Sequence, residues 1–202
     1  MAPSVMPGVE AFREKPAQFA TAMLWTAWDK RGLHLKCDVH GDDSPFINND
    51  TDWTMAFTTG DVVDVQMKSQ KLGRCRYVIT MNQGKPVVVR LRYDGPVTTR
   101  AVTYKSGVAE TKVPDVEKLA VPVDVRRGKN NYAVQLTLPW DVLGIDPKPG
   151  LEIPMELGLF YSDPTGHKTV SREYWHSGVS GMVSDVPTEA QPTTDWGVLK
   201  LQ

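Results

Sequence analysis

The densest group of hard oxygen donors lies in one run, Gly41-Asp42-Asp43-Ser44-Pro45-Phe46-Ile47-Asn48-Asn49-Asp50-Thr51-Asp52. Calcium takes about six to eight oxygen ligands, and Asp42, Asp43, Asn48, Asp50 and Asp52 are the candidates to supply them. The run is not an EF-hand loop, because no glycine and closing glutamate fall at the required offsets. The same residues suit a solvated loop whose Asp and Asn side chains close turns on their own backbone. Both readings stand on the sequence alone.

Aromatic residues give a second chemistry. The chain has six tryptophans, and an indole face stacks on the apolar C–H face of a sugar while charged and amide groups take its hydroxyls. Trp53 follows the acidic run, and Trp175 ends a strand beside Tyr174. Trp25, Trp28, Trp140 and Trp196 fit core packing better. Polar pairs at i, i+2 give a third signal: Asp64 with Gln66, Arg74 with Arg76, Arg90 with Arg92, and Gln135 with Thr137. Each pair shares a strand face. Arginine with amides suits bidentate recognition of vicinal hydroxyls, and the same pattern suits a plain exposed sheet face.

Signatures of catalysis are missing. No Walker loop, Gly-x-Gly-x-x-Gly, Gly-x-Ser-x-Gly or His-Glu-x-x-His occurs. Glycoside hydrolysis needs only two carboxyls at the right separation, and Asp61 with Asp64 is such a pair, although 24 acidic residues generate pairs by chance. His34, His40, His167 and His176 share no ligand spacing and read as surface or loop residues. Haem would need axial Met or His ligands, and no Cys-x-x-Cys-His attachment motif is found. Cys37 and Cys75 lie on the apolar phase of strands and read as buried thiols, with a single bridge in an oxidising compartment as the alternative.

The elements that must hold these residues are strands. Leu33, Leu35, Cys37 and Val39 alternate with His34, Lys36, Asp38 and His40, and Cys75, Tyr77, Ile79 and Met81 alternate with Arg74, Arg76, Val78 and Thr80. Further strands are expected near Ala22–Trp28, Thr54–Phe57, Asp61–Met67, Val87–Leu91, Ala101–Tyr104, Leu119–Val125, Tyr132–Leu138, Met155–Tyr161, Thr169–Trp175 and Trp196–Leu201. One helical turn is expected after Pro139, ending at Gly144, and Ser177–Thr194 reads as a long loop. About a dozen short strands with little or no helix predict an all-β antiparallel sandwich.

With 202 residues, 41% hydrophobic, the chain buries a core without staples. Residues 1–15 read as a linker or expression-derived segment and 16–202 as a single domain. The 23 basic residues nearly cancel the 24 acidic ones, so nucleic acid and anionic membrane are not expected partners. The longest apolar runs are too short to span a bilayer.

Three stretches in order resemble the family 9 carbohydrate-binding modules and the wider group of DOMON-like sandwiches. They are Ala27-Trp28-Asp29-Lys30-Arg31-Gly32-Leu33-His34-Leu35 with Val39-His40-Gly41-Asp42-Asp43, then Gly60-Asp61-Val62-Val63-Asp64-Val65, then Tyr132-Ala133-Val134-Gln135-Leu136-Thr137-Leu138-Pro139-Trp140. The closing Asp195-Trp196-Gly197-Val198-Leu199-Lys200-Leu201 extends the resemblance over nearly the whole chain. It implies a jelly-roll-like sandwich, bound calcium and a groove in which two tryptophans clamp a sugar. Trp175 takes one clamp position and Trp53 the other. Asp64 takes the acidic role toward hydroxyls, Arg76 the arginine role, and Gln66 and Arg90 complete the polar set. Gln135 stands where the family carries an acidic residue, so glucose or xylose polymers are not assumed. The implied protein is a monomeric, extracellular or periplasmic module of a polysaccharide-active enzyme, binding oligosaccharide or polysaccharide without catalysis of its own. A structural or interaction module, a haem-binding sandwich and a glycan-cleaving enzyme are the alternatives.

Overall fold

Alternation of apolar and polar residues builds two antiparallel sheets whose apolar faces meet. The computed structural model describes residues 17–18, 22–42, 46–177 and 185–202. The expected linker 1–15 and Asp43 lie outside them. The chain runs β1 (Ala17–Gln18), β2 (Ala22–Asp29), β3 (Gly32–His40), a 3-10 turn (Trp53–Met55), β4 (Val62–Ser69), β5 (Gly73–Asn82), β6 (Lys85–Arg92), β7 (Val102–Lys105), β8 (Glu110–Val113), β9 (Asp115–Leu119), β10 (Val123–Arg127), β11 (Asn131–Pro139), α1 (Trp140–Leu143), β12 (Glu152–Ser162), β13 (Thr169–Tyr174), α2 (Val186–Glu189) and β14 (Gly197–Lys200). One sheet has the order β1-β2-β3-β11-β10. The other runs β13-β12-β4-β5-β6-β9, with β14 also on β12. This is the all-β antiparallel sandwich expected from the alternation.

Between the sheets lies one large apolar cluster. Leu24, Leu35, Cys37 and Leu136 enter it from the first sheet, and Val65, Tyr77, Ile79 and Leu157 from the second. Both cysteines are buried free thiols, and burial raises the Cys75 pKa to about 11. Trp140 is buried and Trp28 meets it edge to face at 6.3 Å. The turn after Pro139 is the expected α1, closed by Gly144 at φ 63, the left-handed cap that glycine adopts without penalty.

The second sheet is covered on its other face as well. A second cluster joins Val62, Val78, Val89, Leu91 and Phe160 to Ala56 and Phe57 after the 3-10 turn, Tyr104 and Val113 of the β7–β8 hairpin, and Ala190 after α2. These three segments form a roof. Several expectations change here. Residues 54–57 are turn rather than strand, because Asp52 caps the Thr54 N–H and fixes a tight bend. The expected strand over 119–125 is two, β9 and β10, which belong to different sheets. The expected loop over 177–194 contains α2, docked in the roof, while residues 178–184 lie outside the described ones. His34 is buried rather than superficial: its Nδ1 lies 2.8 Å from Thr137 Oγ1 and its Nε2 3.0 Å from Asp29.

Candidate functional site

Asp64, Gln66 and Arg76 come together under that roof. Register places Gln66 opposite Arg76 and opposite Glu156 on its other side, and Asp64 one step along the same face. Arg76 Nε donates to Asp64 Oδ1 at 2.7 Å and Gln66 Nε2 to Asp64 Oδ2 at 2.8 Å. All three are fully buried. Their remaining capacity is met largely by the roof: Arg76 donates to the Glu189 carbonyl at 2.7 Å, and Gln66 Oε1 accepts from Thr193 N and Oγ1. Arg172 pairs with Glu189 and lies over the Phe160 ring, which Arg76 also approaches. Burial opposes both guanidinium charges. The adjacent Asp64 carboxylate nonetheless holds Arg76 above its ordinary pKa, whereas burial and the Arg76 charge bring Arg172 down to about 10.

Arg90 does not join this set. It sits opposite Tyr77, a residue of the inter-sheet core, so it projects from the other face of the sheet. Its guanidinium is engaged by Glu117 at 2.5 Å and the Val142 carbonyl at 3.3 Å. The two expected clamp residues are also apart: Trp53 packs on the roof cluster, and Trp175 on the inter-sheet core.

Trp175 belongs to a different assembly, a notch in the edge of β12. β13 pairs with residues 158–162 of that strand and β14 with residues 152–155, end to end along one edge. Where they meet, Trp175 N donates to Leu157 O, and the buried Glu156 carboxylate accepts from Leu157 N, His176 N and Ser177 N at 2.7–2.9 Å. The notch presents half-buried Trp175, exposed His176 and Asp195 at 3.6 Å from each other, and half-buried Trp196. A Cβ on Gly197 would lie 2.6 Å from the Trp175 indole, so only glycine lets the ring rest on the β14 backbone. Trp196 Nε1 donates to Thr193 Oγ1 at 2.8 Å, and Thr193 bonds Gln66. A polar chain thus runs from the notch to Asp64 and Arg76.

Glu156 and Trp196 were not among the expected site residues. A lone acid inside the apolar run Ile153–Tyr161 was the available sign of Glu156. Trp196 carried none, because its place depends on β14 arriving beside β13.

The acidic loop uses its side chains on itself. Asn48 Nδ2 donates to Ala56 O, Thr59 O and Thr80 Oγ1, while Asn48 Oδ1, Asp50 Oδ1 and Asp52 Oδ1 accept in turn from the amides of Asp50, Asp52 and Thr54. These are successive Asx-turns, and they aim the oxygens along the chain instead of at one point. Among the described residues no group of three or more His, Cys, Asp or Glu could hold a metal ion.

Asp61 and Asp64 do not face each other. Asp61 is buried and accepts from Ile47 N and Ser162 N. Burial pushes its pKa up to about 7, with the two amide donors opposing. Asp64 is committed to Arg76 on the roofed face.

No family model matches the sequence, and no curated protein matches it. Among solved structures the fold is similar to two family 9 carbohydrate-binding modules from Caldicellulosiruptor kristjanssonii. One is in complex with glucose: 12% identity, TM-score 0.47, covering 92% of this chain and 78% of that one. The other is in complex with cellotriose: 14% identity, TM-score 0.49, covering 100% of this chain and 90% of that one.

Proposed function

We propose that the chain is a non-catalytic carbohydrate-binding module that takes a saccharide in the notch where β13 and β14 meet. The observation that carries this is the placement of half-buried Trp175 beside exposed His176 and Asp195, on a backbone pinned by the buried Glu156. The Trp175 indole supplies stacking area for a sugar ring, and the imidazole and carboxylate supply hydroxyl partners. Glu156 contributes by positioning. Its carboxylate holds the 176–177 amides, so the ligand has little backbone to order on arrival. Asp64, Gln66 and Arg76 act behind this surface, bracing Thr193 and through it Trp196, and not as the direct sugar contacts the family resemblance implied. Binding without chemistry suits a module that targets a larger secreted, polysaccharide-active protein.

Calorimetric titration of plant and algal oligosaccharides tests the reading. We expect saturable binding of one sugar class by the wild type and a loss of about 30-fold, roughly 2 kcal/mol, in Trp175→Ala with an unchanged circular dichroism spectrum. No binding across the panel by the folded protein, or wild-type affinity in Trp175→Ala, overturns it.

A further inference from the structure

The outward face of the five-stranded sheet contrasts with the roofed one. Register aligns Trp25, Lys36, Gln135 and Asp124 in one row across β2, β3, β11 and β10, and Met23, Asp38, Ala133 and Arg126 in the next. Solvent reaches these rows: Met23 is 41% exposed, and the Lys36, Asp124 and Arg126 side chains 42%, 55% and 77%. Beside the first row an open hollow of ≈ 540 Å³ is lined in part by Pro122, Asp124, Arg126, Gln135 and Thr137.

The ionic groups on this face cancel locally. Lys36 pairs with Asp38 at 2.8 Å along β3, and Arg126 with Asp124 at 3.1 Å along β10. Lys36 Nζ also lies 4.8 Å from the Trp25 ring centroid. The surface therefore offers fixed donors and acceptors, an amide and an indole, without a net field that attracts an ion. That combination complements a neutral, polyhydroxylated chain, because ring C–H faces meet Trp25 and Met23 while hydroxyls meet Lys36, Gln135 and Asp124. The row crosses four strands, about 14 Å, so its ligand is an extended chain and not a single sugar.

We infer that this face is a second saccharide site, a platform for an extended neutral glycan, separate from the notch. The inference rests on the reading of the chain as a saccharide binder but not on the notch itself. The test titrates cellohexaose, xylohexaose, mannohexaose, laminarihexaose and hexagalacturonate into the wild type, Trp25→Ala, Gln135→Ala and Trp175→Ala, with folding checked by near-ultraviolet circular dichroism. A neutral hexamer is expected to occupy two sites per chain. Trp25→Ala then removes one of them, Gln135→Ala weakens that same site by about 10-fold, and the site remaining in Trp175→Ala keeps its affinity within about twofold. One site per chain, lost in Trp175→Ala and untouched by Trp25→Ala and Gln135→Ala, overturns the platform and leaves the notch standing. One site lost in Trp25→Ala and untouched in Trp175→Ala upholds the platform and removes the notch. Equal binding of hexagalacturonate overturns the assignment to a neutral ligand, and no binding of any hexamer overturns both sites.

Discussion

The two outward sheet faces carry similar residues to different ends. Asp64, Gln66 and Arg76 on one and Asp124, Gln135 and Lys36 on the other are each an acid, an amide and a base in neighbouring strands. Under the roof the first trio is fully buried and is engaged largely by mutual hydrogen bonds and by residues 189–193. In the open the second trio pairs along its strands and keeps capacity for a ligand. A polar sheet face is therefore a recognition surface only where no third layer consumes its hydrogen bonds.

Breaking an ion pair should be costly on the first face and nearly free on the second. Arg76→Ala leaves Asp64 charged and dry, and we expect a loss of about 3–5 kcal/mol in urea denaturation. Arg126→Ala removes a solvated partner and should cost under about 0.5 kcal/mol. Replacing both buried partners, Asp64→Leu with Arg76→Met, should recover most of the loss. Equal costs on the two faces would erase the distinction.

Next in size is a pH effect centred on Asp61, buried just before β4. Asp61 titrates at about 7 in the native state against 3.8 ordinarily. Between these values the folded protein holds a proton that the unfolded chain releases. The stabilisation is complete below about pH 4 and is lost as pH rises to about 7, by up to about 4 kcal/mol. Melting curves at pH 4.5 and 7.5 should show the fall in the wild type and a much flatter profile in Asp61→Asn. A wild type that gains stability over the same interval would contradict the assignment. Smaller again is Glu189→Gln, which keeps shape but takes the charge from Arg172. About 1–2 kcal/mol is expected, against a few tenths for Asp124→Asn.

Much of this was written in the alternation of residues. Leu33 to Val39 and Cys75 to Met81 announce strands and their buried sides, and Pro139 with Gly144 brackets the helical turn. Trp25, expected in the core, aims outward instead, in phase with Met23 and Ala27 and opposed to Ala22 and Leu24. Period two states which residues share a face, however, and not what covers that face. Asp64, Gln66 and Arg76 read as surface because their roof comes from the turn after Trp53, the β7–β8 hairpin and α2, all remote in sequence. Trp53 and Trp175 are partners only by the family resemblance, and the sheet order places them on different clusters.

The smallest expected effect concerns calcium, and it tests whether the acidic loop resembles the open face or the roofed one. A site of about 10 μM affinity would add about 2.7 kcal/mol at 1 mM calcium, raising the melting temperature by about 5–10 °C for a domain of this size. Asp50 and Asp52 already close Asx-turns, with Asp52 also accepting from Thr54 Oγ1 at 2.7 Å, and the amides of buried Asn48 and of Asn49 anchor the loop to the backbone. Opening those turns to aim oxygens at an ion would forfeit hydrogen bonds worth about 1 kcal/mol each. We therefore expect melting temperatures in 1 mM calcium and in excess chelator to agree within about 1 °C. A shift of several degrees, abolished in Asp50→Ala, would instead show that the loop rearranges around a cation and that its hydrogen bonds are as available to a ligand as those of the open sheet face.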